Sequence, residues 1–139
     1  MATFTRVNNL NKAILDAYIA SKAFKAMLTN VAPVATNAVK ADITEIAAGN
    51  GYTAGGVTLT AGTVQATAQA SITIADIASL ITAAGGSIGP WRYLVIYDDT
   101  TAGKPLLGWV DYGSSVTTLA GETVQLSVPG ASDVVYTLQ

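Results

Sequence analysis

Between Val64 and Ile74 the sequence alternates without interruption. Val64, Ala66, Ala68, Ala70, Ile72 and Ile74 are apolar, while Gln65, Thr67, Gln69, Ser71 and Thr73 are polar. Successive side chains of a strand point to opposite sides of the pleat, so a period of two marks a strand with one buried face. Most of the inward positions are Ala, so another layer must approach closely. The run leaves room for a bend or break within it.

Further short segments read the same way. Trp91–Tyr97 is apolar on both faces, as a central strand requires. It leads through Asp98–Pro105, a hairpin loop by composition, into a returning strand over Leu106–Tyr112. Gly113-Ser114-Ser115 reads as a turn. Val124, Leu126 and Val128 alternate with Thr123, Gln125 and Ser127, Pro129-Gly130 turns the chain, and Val134–Leu138 forms a final strand. Val57–Thr60 is strand-like and Ile43–Ala47 is a candidate short strand. Gly49-Asn50-Gly51 and Gly55-Gly56 are turn signals. Ala75–Ala84 reads as a helical turn or loop. Near the N-terminus, Leu10, Ile14, Ala17 and Tyr18 recur at helical spacing and predict a helix over Asn8–Ser21. Ala23–Asn30 fits a strand or a continuation of that helix, and the strand is favoured by its alternation.

Seven to nine short strands after one helix, without long helices between them, predict a mainly β fold: an antiparallel β-sandwich or jelly roll with one N-terminal α-helix. At 139 residues the chain reads as a single domain, with residues 1–21 as an N-terminal arm and helix and residues 22–139 as the sandwich body.

The composition bears on the surface of that body. Half the residues are hydrophobic and 12% are charged, against about 25% charged in ordinary soluble chains. A membrane span needs roughly 20 consecutive apolar residues, but Ile72–Ile88 is interrupted by Thr73, Asp76, Ser79, Thr82, Gly85, Gly86 and Ser87. No signal-peptide pattern opens the sequence. The expectation is an assembly subunit whose surface is covered by other chains, with no membrane partner.

Cys and His are both absent. That removes thiol nucleophiles, disulfides, the usual general base near neutral pH and the commonest metal ligands. Asp98, Asp99, Asp111 and Glu122 are the candidate carboxylates. Asp98-Asp99 sits where turns favour Asp, and the spacing of a calcium loop is missing. The glycine pairs match no phosphate-binding pattern. The expectation is no enzyme, no cofactor, no metal and no small-molecule substrate.

Net charge is −2, with no basic signature for direct nucleic-acid binding. Its distribution is uneven. Residues 1–40 hold Arg6, Lys12, Lys22, Lys25 and Lys40 against Asp16, a net of +4, whereas residues 41–139 hold Arg92 and Lys104 against eight acids, a net of −6. Lys12, Tyr18, Lys22 and Lys25 are therefore candidate docking residues, the alternative being that these cations solvate a helix and a strand. Trp91, Tyr93, Tyr97, Trp109 and Tyr112 cluster on two neighbouring strands. Core and interface packing is favoured over a glycan or single-strand stacking platform, and Trp91, Trp109 and Tyr112 are the interface candidates.

Three segments, NGYTAGGVTLT (residues 50–60), RYLVIYDDTTAGKPLLGWVDYG (residues 92–113) and LAGETVQL followed by VVYTL, resemble a family of small tailed-bacteriophage virion proteins. That family has an N-terminal helix, a first strand at the place of Ala23–Thr29, a glycine-rich segment and an aromatic hairpin. Residues 31–42 and Ser71–Gly89 depart from its pattern. The resemblance implies a jelly-roll-like head decoration, or cement, protein that binds between major capsid subunits and copies of itself in the virion. Members also carry tail or fibre labels, so a tail, fibre or baseplate protein with host-glycan binding is the alternative.

Overall fold

The computed structural model describes residues 2–66, 69–127 and 134–138. Thr67, Ala68, Val128 and the Pro129-Gly130 turn lie outside the described residues. Helix α1 spans Leu10–Ala20 and is followed by nine strands: β1 (Phe24–Thr29), β2 (Val57–Leu59), β3 (Ala61–Ala66), β4 (Gln69–Ile74), β5 (Ile77–Thr82), β6 (Ile88–Asp98), β7 (Leu106–Thr118), β8 (Thr123–Leu126) and β9 (Val134–Leu138). The fold is mainly β and sandwich-like, with antiparallel pairing throughout and one helix near the N-terminus.

The largest sheet has the order β2-β1-β6-β7. Its two inner strands are buried on both faces. Phe24, Ala26 and Leu28 of β1 join Leu94 and Ile96 of β6 in the main core, against Ile74 of β4, Leu80 and Ile81 of β5, and Val124 and Leu126 of β8. On the opposite face, Met27, Val95 and Tyr97 form a second cluster with Ile43 and Leu106. Phe24–Thr29 is thus a strand, as the alternation predicts, and not an extension of α1.

The segment between β1 and β2 covers that second face and prolongs the ladder of β1. Ile46 N donates to Leu28 O at 3.1 Å, and Thr29 pairs with Glu45 in an isolated bridge. The Tyr52 hydroxyl accepts from Leu28 N at 3.0 Å and donates to Glu45 Oε1 at 2.6 Å. The Tyr97 hydroxyl donates to Gly55 O at 2.6 Å. Ile43–Ala47 contributes this bridge but no strand. The Gly55-Gly56 turn is forced by proximity: a Cβ on Gly56, at φ +78°, would lie 1.8 Å from Ala26 O.

Three further sequence expectations are corrected. The alternating run is two strands, because β3 and β4 pair antiparallel with Ala66 opposite Gln69. Partners across a pair share a face, so Val64, opposite Ser71, stands with the polar residues of β4 and is exposed, while Ala70, Ile72 and Ile74 are buried. Ala75–Ala84 contains strand β5. Its ladder with β8 shifts between Ile77 and Ile81, which breaks the strict alternation and leaves a helix-like spacing. Gly113-Ser114-Ser115 does not end the strand. β7 runs on to Thr118 around an irregularity, since Tyr93 faces Asp111 and Trp91 faces Val116.

Helix α1 forms within the predicted bounds. The face packed on β3 and β4 carries Asn11 and Leu15, with Ile19 beside them. The stripe Leu10–Ile14–Tyr18 stays 39%, 48% and 37% exposed. Leu15 and Ile19 on the packed face, and Leu10, Ile14 and Tyr18 beside them, repeat at i, i+4 spacing, and one face of one helix can meet only one layer.

Candidate functional site

Further apolar side chains besides the helix stripe are left uncovered. Residues 2–9 lie along the outside of the fold, and every one of them is exposed. Phe4 is 92% and Val7 69% exposed. Leu10 N bonds to Val7 O at 3.3 Å where this arm turns into the helix. Beside α1 runs a groove of about 490 Å³ walled by Ile14, Tyr18, Ile72, Leu106, Leu107 and Tyr136. The groove sits where α1, β4, β9 and the start of β7 converge.

The sequence-predicted cations are engaged within the chain. Lys12 pairs with Asp16 one turn along α1, and Asp16 also accepts from Thr63 of β3, tying the helix to the sheet. Lys22 lies 3.6 Å from Asp98 and 5.6 Å from the Tyr18 ring centroid. Lys25 lies 3.2 Å from Asp99, which Lys104 also reaches at 2.6 Å. Lys22 and Lys25 are thus paired with acids of the β6–β7 hairpin of the same chain, and Lys12 with its own helix.

Asp98 is buried and caps the hairpin loop, accepting from Thr100 N at 2.8 Å, Thr101 N at 3.2 Å and the Thr101 hydroxyl. Burial alone would raise its carboxyl, but the Thr101 hydroxyl, the two amides and Lys22 outweigh it and hold the group below its ordinary value. Lys104, with Lys25, lowers Asp99 against the raising effect of burial. Both carboxylates are occupied by protein donors. Among the described residues no cluster of three or more acidic side chains is placed to hold a metal ion.

The aromatic candidates separate. Trp91 is buried, donates Nε1–H to the Thr118 hydroxyl at 3.0 Å and meets the Tyr112 ring at a centroid distance of 5.2 Å. It belongs to the core and offers no surface. Trp109 is 41% and Tyr112 58% exposed. Trp109 is the cross-strand partner of Val95, on the second-cluster face, whereas Tyr112 leans on Trp91 of the main core. The two exposed rings stand on different faces of β7 and form no shared stacking platform.

Sequence reasoning picked out Tyr18 but missed Phe4, Val7, Ile14 and Tyr136 as a surface. The available signal was the row Leu10–Ile14–Tyr18 running beside Leu15 and Ile19 on α1, more apolar surface than one layer can cover. No helix among the described residues is long and apolar enough to cross a membrane. No family model, curated protein or solved structure matches the chain.

Proposed function

We propose that this chain is a non-catalytic structural subunit of a tailed-bacteriophage virion: a head decoration protein that binds between major capsid subunits and beside copies of itself. The observation that carries this reading is the uncovered apolar surface of Phe4, Val7, Ile14 and Tyr136 on a chain with few charges. Large exposed apolar patches mark interaction surfaces, and a standard interface removes about 1,600 Å² from water. The resemblance of the glycine-rich segment and the aromatic hairpin to virion proteins supports the choice of particle. The partners are protein surfaces, with no nucleic acid, membrane, cofactor or small-molecule substrate, and assembly takes place in the host cytoplasm.

Internal pairing of Lys22 and Lys25 turns the proposed docking from a charge-led to an apolar contact. Quantitative mass spectrometry of purified particles tests the reading. A copy number of the same order as the major capsid protein is expected. A handful of copies per particle would move the chain to the tail, and absence from the particle would overturn the proposal.

A further inference from the structure

The arm and the groove are two apolar surfaces that a single chain leaves uncovered. The arm, ATFTRVNN over residues 2–9, presents Phe4 and Val7 with 92% and 69% of their surface exposed. The groove presents an apolar wall of Ile14, Tyr18, Leu106, Leu107 and Tyr136. Ile14 and Tyr18 lie only one and two helical turns beyond Leu10, roughly 6 and 12 Å along the axis. Phe4 is six residues from Leu10, within extended reach of that distance. The arm nevertheless stays off its own groove.

We propose that the arm of one copy seats in the groove of a second copy, Phe4 and Val7 filling the space between α1, β9 and the start of β7. This deepens the reading of the chain as an assembly subunit and rests on it. The contact joins two different patches of the same surface, so it closes as a reciprocal pair or a ring, or else continues head to tail. Groove volume supports the match: about 490 Å³ is room for side chains of this size. All eight arm residues are exposed, so Phe4 and Val7 are open to a neighbour.

The test is sedimentation of the purified full chain from micromolar to near-millimolar concentration. The mass should rise beyond one chain with concentration. Phe4→Ala should weaken the association roughly tenfold or more, about 1.4 kcal/mol, and deletion of residues 2–9 should abolish it. Ile14→Lys, at a half-exposed position of the groove wall, should abolish it from the other side. Thermal unfolding of each variant monitors the fold. The arm-deleted chain keeps its groove and the Ile14→Lys chain keeps its arm, so mixing the two should restore a complex with one productive contact. A wild-type chain that stays monomeric throughout, or that associates equally well without the arm, overturns the proposal. So does a monomer whose unfolding temperature drops on Phe4→Ala, because the arm then serves its own groove. If the arm-deleted chain self-associates as wild type does and decorates particles, arm exchange alone fails and the assembly reading stands. If neither chain binds particles while the purified chain self-associates, the particle assignment alone fails.

Discussion

Strands β6 and β7 are the two arms of one hairpin, hydrogen-bonded to each other and similar in aromatic content, yet they live in different environments. β6 is buried from Tyr93 to Asp98, while β7 is half-buried or exposed over nearly its whole length, with only Thr118 buried. Composition does not separate them, since both carry a Trp and at least one Tyr. Position in the sheet does. β6 lies between β1 and β7 with layers on both faces, whereas β7 ends the sheet. An inner strand fixes the fold, and an edge strand is left with side chains and backbone groups for other contacts.

Substitutions on the two strands should expose this difference. The largest effect is expected for Tyr97→Ala, which empties a fully buried site and removes the hydroxyl donor to Gly55. A loss of about 4 kcal/mol is expected in urea unfolding. A cost below 1 kcal/mol would show that β6 is not the more constrained strand. Next comes Asp98→Ala, at the junction of the two strands. It strips three donors and Lys22 of a buried acceptor and should cost about 2–3 kcal/mol by the same measurement.

A smaller effect is expected in acid. Asp98 and Asp99 are held below their ordinary values in the folded chain, so folding favours their ionised forms. Their contribution is fully present above the unfolded value of about 4 and is lost as pH falls through the lower folded values. Stability should be flat from pH 7 to about 5 and decline below about 4, and Asp98→Asn should shallow that decline. An unchanged slope in the variant would remove Asp98 as its source. The smallest effect belongs to Trp109→Ala on β7, expected to stay within about 1 kcal/mol of wild type. A cost matching that of Tyr97→Ala would erase the contrast between the strands.

Periodicity in the sequence revealed the strands better than the turns between them. The run from Val64 to Ile74 showed two-residue alternation, but a hairpin with Ala66 opposite Gln69 keeps the same alternation in sequence while exchanging which parity faces inward. Nothing in the pattern of apolar residues distinguishes that from one long strand. β5 was hidden because a ladder irregularity places Leu80 and Ile81 side by side in the core, and adjacent buried residues look like helix. Gly113-Ser114-Ser115 has turn composition, and the strand absorbs it as a bulge. The uncovered surface was harder still to read. Exposure of the Leu10–Ile14–Tyr18 row depends on which helix face meets β4, and that is decided by the distant sheet. Trp91 and Trp109 carry the same side chain on paired strands, yet only the ladder assigns one to the core and the other to solvent.

The internal pairing of Lys22 with Asp98 and Lys25 with Asp99 also bears on the ionic conditions under which the chain works. Charges matched within one fold leave little for dissolved salt to screen between folds. Contacts made through the apolar arm and groove should therefore hold from dilute to concentrated saline, and strongly hydrated anions such as sulfate should tighten them. Self-association through the proposed arm contact would then be indifferent to wide swings in ionic strength.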